Sequence, residues 1–142
     1  LKNMGYEVTF VDLLDYPLPL YNPDISAEEF PNNATALAEL MADHQAWLIA
    51  SPEYNSSIPS CLKNLIDFAS RSPDNQHNTS MFSNKIIGVI SASPSSLGGA
   101  RGVRHLKDIL LFRLITEEPD TEVKSLKNRH IYNLENWKPS IR

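Results

Sequence analysis

The sequence predicts an α/β fold built around a doubly wound parallel sheet in three α/β/α layers. Two short apolar runs, Ala46–Ala50 and Lys85–Ile90, are typical of parallel strands that are covered on both faces. Each run is followed by a polar loop and then by apolar residues at helical spacing, so strands and helices alternate along the chain. The 142 residues are enough for a single domain, 1–142, with a hydrophobic core.

The first part of the chain predicts a helix end, a strand and an irregular connection. Leu1–Gly5 has the pattern of a last helical turn that is ended by Gly5. Apolar and polar residues alternate along Tyr6–Leu13, which predicts a strand. The prolines of the following segment, Tyr16–Pro23, exclude a regular helix there.

Three helices are predicted in the rest of the chain. Their apolar residues recur at helical spacing over Ala34–His44, Pro59–Arg71 and Ala100–Leu114. Pro59 suits a first helical turn, because a proline there removes no helical hydrogen bond. Ser72–Asn84 is predicted to be a loop. Beyond Thr116 we predict no clean final strand, and Thr121–Leu126 fits one only loosely.

Composition and charge exclude several classes of protein. The net charge is −4 and no stripe of Lys and Arg is present, which argues against a nucleic-acid partner. No apolar run approaches the roughly 18 residues that span a membrane. The single cysteine, Cys61, cannot form an internal disulfide, and this favours the cytoplasm. The histidines are scattered without the spacing of metal ligands, so no metal site is predicted.

Two loops are the candidate ligand-binding segments. Ligands of parallel sheets bind beyond the carboxyl ends of the strands, which selects Ser51–Ser57 and Ser91–Gly99. The first loop offers the aromatic face of Tyr54 and the hydrogen-bonding amide of Asn55. The second loop has no Walker A or dinucleotide fingerprint, but its two glycines permit close approach of a ligand. Each loop is also compatible with a simple strand-to-helix connection.

Three segments, taken together, resemble the NADPH-dependent FMN reductase family, which includes azo- and quinone-reducing members. The central segment is SPEYNSSIP at 51–59, followed by LKNLIDFASR at 62–71. The other two are DYPLPLYNPD at 15–24 and the SASP and GGAR runs within 85–101. The resemblance extends over about Leu1–Leu114.

The resemblance implies a flavodoxin-like fold that binds FMN at the carboxyl edge of the sheet. It also implies hydride transfer from NADPH or NADH to a small electron acceptor such as a quinone, an azo compound or free flavin. Matching positions along the isoalloxazine ring would be Pro52, Glu53, Tyr54, Asn55 and Ser56. Matching positions at the other edge of the ring would be Ser93, Gly98 and Gly99. We predict no catalytic side chain, because the flavin carries the electron chemistry.

Two further residues or segments have alternative interpretations. Arg101 would attract the phosphate of NAD(P)H, or it would be a solvated arginine in a first helical turn. The resemblance implies a homodimer or homotetramer that is formed through the Leu62–Arg71 helix. The apolar stripe of that helix could equally cover the sheet of its own chain.

The chain is expected to be an N-terminally incomplete version of this fold. Members of the family begin with a strand and a loop that wraps the FMN phosphate, and this sequence starts after that loop. The first strand is central in a sheet of order 2-1-3-4-5, so a strand edge should be exposed. A longer natural protein and a degenerate copy both explain the pattern, and the intact loops favour the first.

Two other functions compete with reduction. One is an FMN-binding electron carrier or regulator, and the other is a vestigial scaffold that no longer binds flavin. Electron-carrying flavodoxins tend to flank the ring with aromatic side chains from two loops. Here Tyr54 is aromatic in the first loop, whereas Ser91–Gly102 contains no aromatic residue, and this favours a reductase.

Overall fold

The computed structural model describes residues 2–74, 76–94, 96–114 and 122–125. Within them, three strands and three α-helices alternate along the chain. The strands are β1 (Ala46–Ala50), β2 (Ile86–Ile90) and β3 (Glu122–Ser125). The helices are α1 (Asn32–Asp43), α2 (Ser60–Ala69) and α3 (Ala100–Leu114). Short 3₁₀ turns occur at Lys2–Met4, Leu13–Asp15 and Ser80–Phe82.

The three strands form a parallel sheet in the order β1-β2-β3. Ala46 pairs with Ile86 at one end of the first ladder, and Ala50 pairs with Ile90 at the other. The apolar runs therefore form strands in the predicted places, and the parallel α/β architecture is confirmed.

The core lies between one face of this sheet and all three helices. Ile87 and Val89 of β2 are fully buried. They pack in one cluster with Leu106 and Leu110 of α3 and with the apolar residues of α2. The opposite face is open among the described residues, because Leu48 is 56% exposed and Ile86 is 58% exposed. The prediction that both strands are covered on both faces is therefore wrong for the described residues. The described helices form a single layer on the sheet.

Helix α2 places its apolar stripe in this core. Leu62, Leu65, Ile66 and Phe68 are all buried. Of the two interpretations of the stripe, packing within the chain is the one that the contacts support. The polar face of α2 holds the proline-rich connection, because Asn64 donates to the Pro19 carbonyl (2.7 Å) and accepts from the Tyr21 amide (2.9 Å).

The predicted strand at Tyr6–Leu13 is not present. A strand needs a neighbour for its backbone hydrogen bonds, and β1 pairs only with β2 in the described sheet. The segment instead ends in the 3₁₀ turn at Leu13–Asp15, where Asp12 accepts from the Leu14 amide (3.0 Å). Before it, Gly5 ends the short Lys2–Met4 turn with a φ of +83°, as its predicted capping role requires.

Two elements go beyond what the sequence predicts. Strand β3, Glu122–Ser125, extends the sheet beside β2, within the Thr121–Leu126 segment that fits a strand only loosely. It contains a single apolar residue, Val123, so its pattern is too weak to recognise as a strand. The predicted loop Ser72–Asn84 contains a buried 3₁₀ turn, and Phe82 in it packs edge-on against Trp47 with ring centroids 5.7 Å apart.

Candidate functional site

The candidate site is the carboxyl edge of the sheet, where both predicted loops begin. Ser51 follows β1 and Ser91 follows β2, and these two strands are neighbours. The amide of Ser51 donates to the carbonyl of Ile90 (3.0 Å), which extends the strand pairing into the loops. The sheet therefore brings Ser51–Ser57 and Ser91–Gly99 to one edge, as predicted.

The first loop contains a tight two-residue turn. Tyr54 and Ser57 exchange two backbone hydrogen bonds, of 3.0 and 2.9 Å. The central residues, Asn55 and Ser56, have φ values of +49° and +67°. Two consecutive positive φ angles are typical of a type I′ turn, and Asn tolerates this conformation better than most residues. The turn leaves the Tyr54 side chain 45% exposed beside the edge.

Glu53 joins the first loop to helix α3. Its Oε2 accepts hydrogen bonds from the backbone amides of Arg101 (2.9 Å) and Gly102 (3.0 Å). These amides are in the first helical turn, where no intrahelical carbonyl is available to them. The predicted role of Glu53 in binding cofactor stays a prediction, and the observed role of its carboxylate is to cap α3.

Arg101 makes a second connection between the loops. Its guanidinium Nη1 donates to the hydroxyl of Ser56 (3.0 Å). Of the two interpretations of Arg101, neither anticipated this contact, since the side chain folds back onto the first loop. Attraction of an NAD(P)H phosphate stays a prediction, and it would compete with the bond to Ser56.

The second loop depends on a close contact between Gly99 and Ser91. Gly98 and Gly99 have φ values of +57° and +85°. A Cβ atom at Gly99 would lie 2.1 Å from the Ser91 Oγ, so only glycine fits there. The Ser91 hydroxyl is buried and has no hydrogen-bond partner. Ser93, also predicted to bind cofactor, lies half-buried on the same loop.

A groove of about 460 Å³ borders the first loop on the side of α2 and α3. Tyr54, Asn55, Lys63 and His105 are among its lining residues. His105 also lies 2.7 Å, through its Nδ1, from the hydroxyl of Ser57. The groove keeps the Tyr54 ring accessible while the loop itself is held in place.

Sequence reasoning missed Ser57, Ser91, Gly102 and His105. Gly102 lies against the first loop, because a Cβ there would be 3.3 Å from the Cβ of Glu53. The one signal that the sequence offered was the position of Gly102 directly after the GGAR run. The contacts of Ser57 and His105 join residues that are 48 positions apart, so no local pattern encodes them.

Among the residues that the structure describes, no group of three or more metal-binding side chains is present. No helix in those ranges is both long and apolar enough to cross a membrane.

Comparisons with known proteins agree with this geometry. The chain is 41% identical over 96 residues to a quinone reductase of Escherichia coli, a match that covers 67% of this chain and 48% of the relative. It is 36% identical over 113 residues to an NAD(P)H-dependent FMN reductase of Pseudomonas aeruginosa, covering 78% and 58%. It is 33% identical over 131 residues to a 2-hydroxy-1,4-benzoquinone reductase of a Burkholderia species, covering 91% and 68%.

A solved structure has a similar fold. The flavoenzyme FerB of Paracoccus denitrificans, an NAD(P)H:(acceptor) oxidoreductase, superposes with a TM-score of 0.62 at 31% sequence identity. The match covers 78% of this chain and 55% of FerB. The chain spans about half the length of the E. coli relative. The family model for NADPH-dependent FMN reductases matches residues 1–121, and the chain belongs to this family, with its flavodoxin-like α/β fold.

Proposed function

We propose that this protein binds FMN at the carboxyl edge of its sheet and uses it to pass hydride from NAD(P)H to a quinone. The observation that carries the proposal is that hydrogen bonds of Glu53 and Arg101 connect the two loops at that edge. Family membership and the names of the relatives, several of which are quinone reductases, support the reaction class.

The residues at this edge suit a flavin ring. The buried Ser91 hydroxyl lacks a hydrogen-bond partner, and it packs where a side chain on Gly99 would lie. The exposed Tyr54 ring supplies an aromatic surface, and the Asn55 amide supplies donors and acceptors. Pro52, Glu53, Tyr54, Asn55 and Ser56 would lie along the ring, with Ser93, Gly98 and Gly99 at its other edge.

The first turn of α3 does not suit the FMN phosphate. The amides of Arg101 and Gly102 already donate to the Glu53 carboxylate, whose negative charge would repel a phosphate. The loops would thus hold the ring and leave the phosphate to other residues.

The chemistry divides between cofactor and protein. Bound FMN supplies two-electron redox chemistry, accepting hydride from a nicotinamide and reducing an acceptor. The residues of the edge fix the plane of the ring and leave one side open to both substrates. Because the second loop carries no aromatic side chain at 91–102, that side stays accessible, which favours a reductase over an electron carrier.

We also propose a cytoplasmic homo-oligomer. The exposed, single thiol of Cys61 favours a reducing compartment. A subunit interface at 62–71 would have to use the outer face of α2, which includes Lys63, since its apolar stripe is buried. Light scattering coupled to size exclusion tests this directly: a monomer at micromolar concentration would contradict it.

The test of the reaction is the visible spectrum of the purified protein under anaerobic conditions. After addition of FMN and removal of free flavin, we expect a flavin absorption band that bleaches with NADPH or NADH and returns with a quinone. A band that persists with both nicotinamides would support the carrier instead. A colourless protein after FMN addition would support the vestigial scaffold.

A further inference from the structure

Helix α3 is capped by a side chain from a distant loop. Its first backbone hydrogen bond runs from the Val103 amide to the Gly99 carbonyl (3.1 Å), so Gly99 occupies the capping position. A capping residue normally satisfies the next free amides with its own side-chain oxygen. Gly99 has no side chain, and the oxygen comes instead from Glu53, which lies 48 positions before Arg101 and 49 before Gly102.

The identity of Gly99 explains why the cap has to come from elsewhere. The residue has a φ of +85°, and an added Cβ would collide with Ser91. Serine, threonine, aspartate and asparagine, which ordinarily cap helices, are therefore excluded at this position. The second loop needs glycine for its shape, and the helix then needs an external carboxylate.

Backbone contact brings the two segments together as closely as the cap requires. A Cβ at Gly102 would lie 3.3 Å from both the Cβ of Glu53 and the carbonyl oxygen of Ser57. The hydrogen bond from Arg101 to Ser56 lies on the same side of α3. The first loop and the first turn of α3 therefore touch along several residues.

We propose that Glu53 is a positioning residue, which holds the two loops in one arrangement through the first turn of α3 and does not contact the flavin with its carboxylate. The proposal rests on the proposed function, since FMN is the ligand that the loops would hold. The loss of the carboxylate weakens the connection between α3 and the first loop, so both loops sample other positions. FMN then binds more weakly because only part of the population is competent.

Three variants and a matched control test the proposal. Glu53→Ala removes the cap, whereas Glu53→Gln keeps an oxygen that accepts from both amides and removes the charge. Gly102→Ala keeps the cap but inserts a methyl group between α3 and the first loop. The control, Glu39→Ala, removes an exposed glutamate from α1.

The first readout needs no flavin. Amide hydrogen exchange at Arg101 and Gly102 should accelerate by about tenfold in Glu53→Ala and by less than about threefold in Glu53→Gln and Glu39→Ala. Unchanged exchange in Glu53→Ala would overturn the cap. If Glu53→Ala does not fold, faster exchange at Tyr54 and Ser57 in Gly102→Ala still supports the contact, and unchanged exchange overturns it.

The second readout is FMN affinity and the potential of the bound flavin. The dissociation constant should rise by about tenfold in Glu53→Ala and Gly102→Ala, with recovery to within about threefold in Glu53→Gln. The potential should stay unchanged in Glu53→Gln. A raised potential would mean that the carboxylate lies against the flavin, and this would overturn the proposal.

Failure of the proposed function is distinguishable from failure of the cap. If wild-type protein does not bind FMN while amide exchange responds as expected, the cap stands and the flavin role of Glu53 is overturned with the proposed function. If FMN binds but Glu53→Ala binds it as tightly as wild type, the positioning role alone is overturned.

Discussion

The amino end and the carboxyl end of the sheet satisfy different helix termini. At the amino end, the last carbonyls of α1 accept side-chain donors: Trp47 reaches Met41 (3.0 Å), and Lys85 reaches Ala42 and His44. At the carboxyl end, Glu53 caps the amides of α3. Donors at the C-terminus of one helix and an acceptor at the N-terminus of another both complement the helix dipole.

The ends differ in what they leave unsatisfied. The amino end places its donors within the chain, with Lys85 buried over Trp47 at 5.9 Å from the ring centroid. Both ends contain positive φ angles, at Asn84 on the amino side and at Asn55 and Ser56 on the carboxyl side. Among the described residues, however, the buried hydroxyl without a partner, that of Ser91, lies at the carboxyl end. Consecutive positive φ angles and an unsatisfied buried hydroxyl are features that concentrate where ligands bind. We therefore expect the amino end to determine stability and the carboxyl end to determine flavin affinity.

The largest loss of stability is expected from Gly99→Ala, a substitution at the carboxyl end of the sheet. The added methyl group meets Ser91 in a backbone conformation that alanine rarely adopts. The unfolding free energy should fall by about 2–4 kcal/mol in urea denaturation.

Gly5→Ala is the matched control for Gly99→Ala. Its φ of +83° is nearly the same, but nothing lies within 4 Å of the added Cβ. Only the backbone cost of about 1–2 kcal/mol should appear. Equal losses in the two variants would show that crowding by Ser91 is unimportant.

Lys85→Met tests the amino end. The variant keeps the apolar stem on Trp47 and removes the donor to the α1 carbonyls, so stability should fall by about 1–2 kcal/mol. FMN affinity of the folded protein should not change. A weakened affinity would contradict the separation of the two ends, and titration calorimetry measures it.

The titration of Lys85 predicts a pH dependence of stability, which the same variant tests. Burial lowers the pKa of Lys85 below its ordinary value of 10.5, although Asp43 partly offsets this. Between the lowered pKa and 10.5 the unfolded chain binds more protons, so wild-type stability should rise with pH there. Lys85→Met should lack that rise in denaturation curves from pH 8 upward. Parallel curves for the two proteins would reject this account of Lys85.

Tyr54→Ala and Asn55→Gly test the proposed flavin contacts at the carboxyl end. Asn55→Gly removes the side chain without the cost that alanine would carry at a φ of +49°. Each variant should weaken FMN binding by about tenfold, with melting temperatures near that of wild type. Unchanged affinity in both would reject the proposed ring site.

The smallest effect on stability is expected from Lys63→Ala, on the outer face of α2. Lys63 pairs with Asp67 at 2.7 Å on α2, and both side chains are partly exposed. Pairs of this kind contribute about 0.3–0.5 kcal/mol. A loss well above this in urea denaturation would show that α2 also controls stability through its outer face.

Sequence patterns predict those parts of the fold that depend on local composition. Strands β1 and β2 are continuous apolar runs, and α3 has the predicted bounds of Ala100–Leu114. The alternation at Tyr6–Leu13 misleads, because a strand also needs a partner. Strand β3 is only loosely indicated at Thr121–Leu126, because a single apolar residue is too few for a strand pattern.

The site is predictable in its location and much less so in its contacts. Both loops lie at the carboxyl edge, as strand order requires. The cap by Glu53 and the bond between Ser57 and His105 depend on how the loops fold against α3. Since 48 positions separate the members of each pair, only the tertiary structure joins them.

Amide chemical-shift mapping by NMR during a titration with FMN tests the central claim most directly. We expect the largest shifts at 51–57 and 91–102, and much smaller shifts at the amino end, around His44 and Lys85. Shifts that are concentrated at the amino end, or a titration without shifts at either loop, would contradict it.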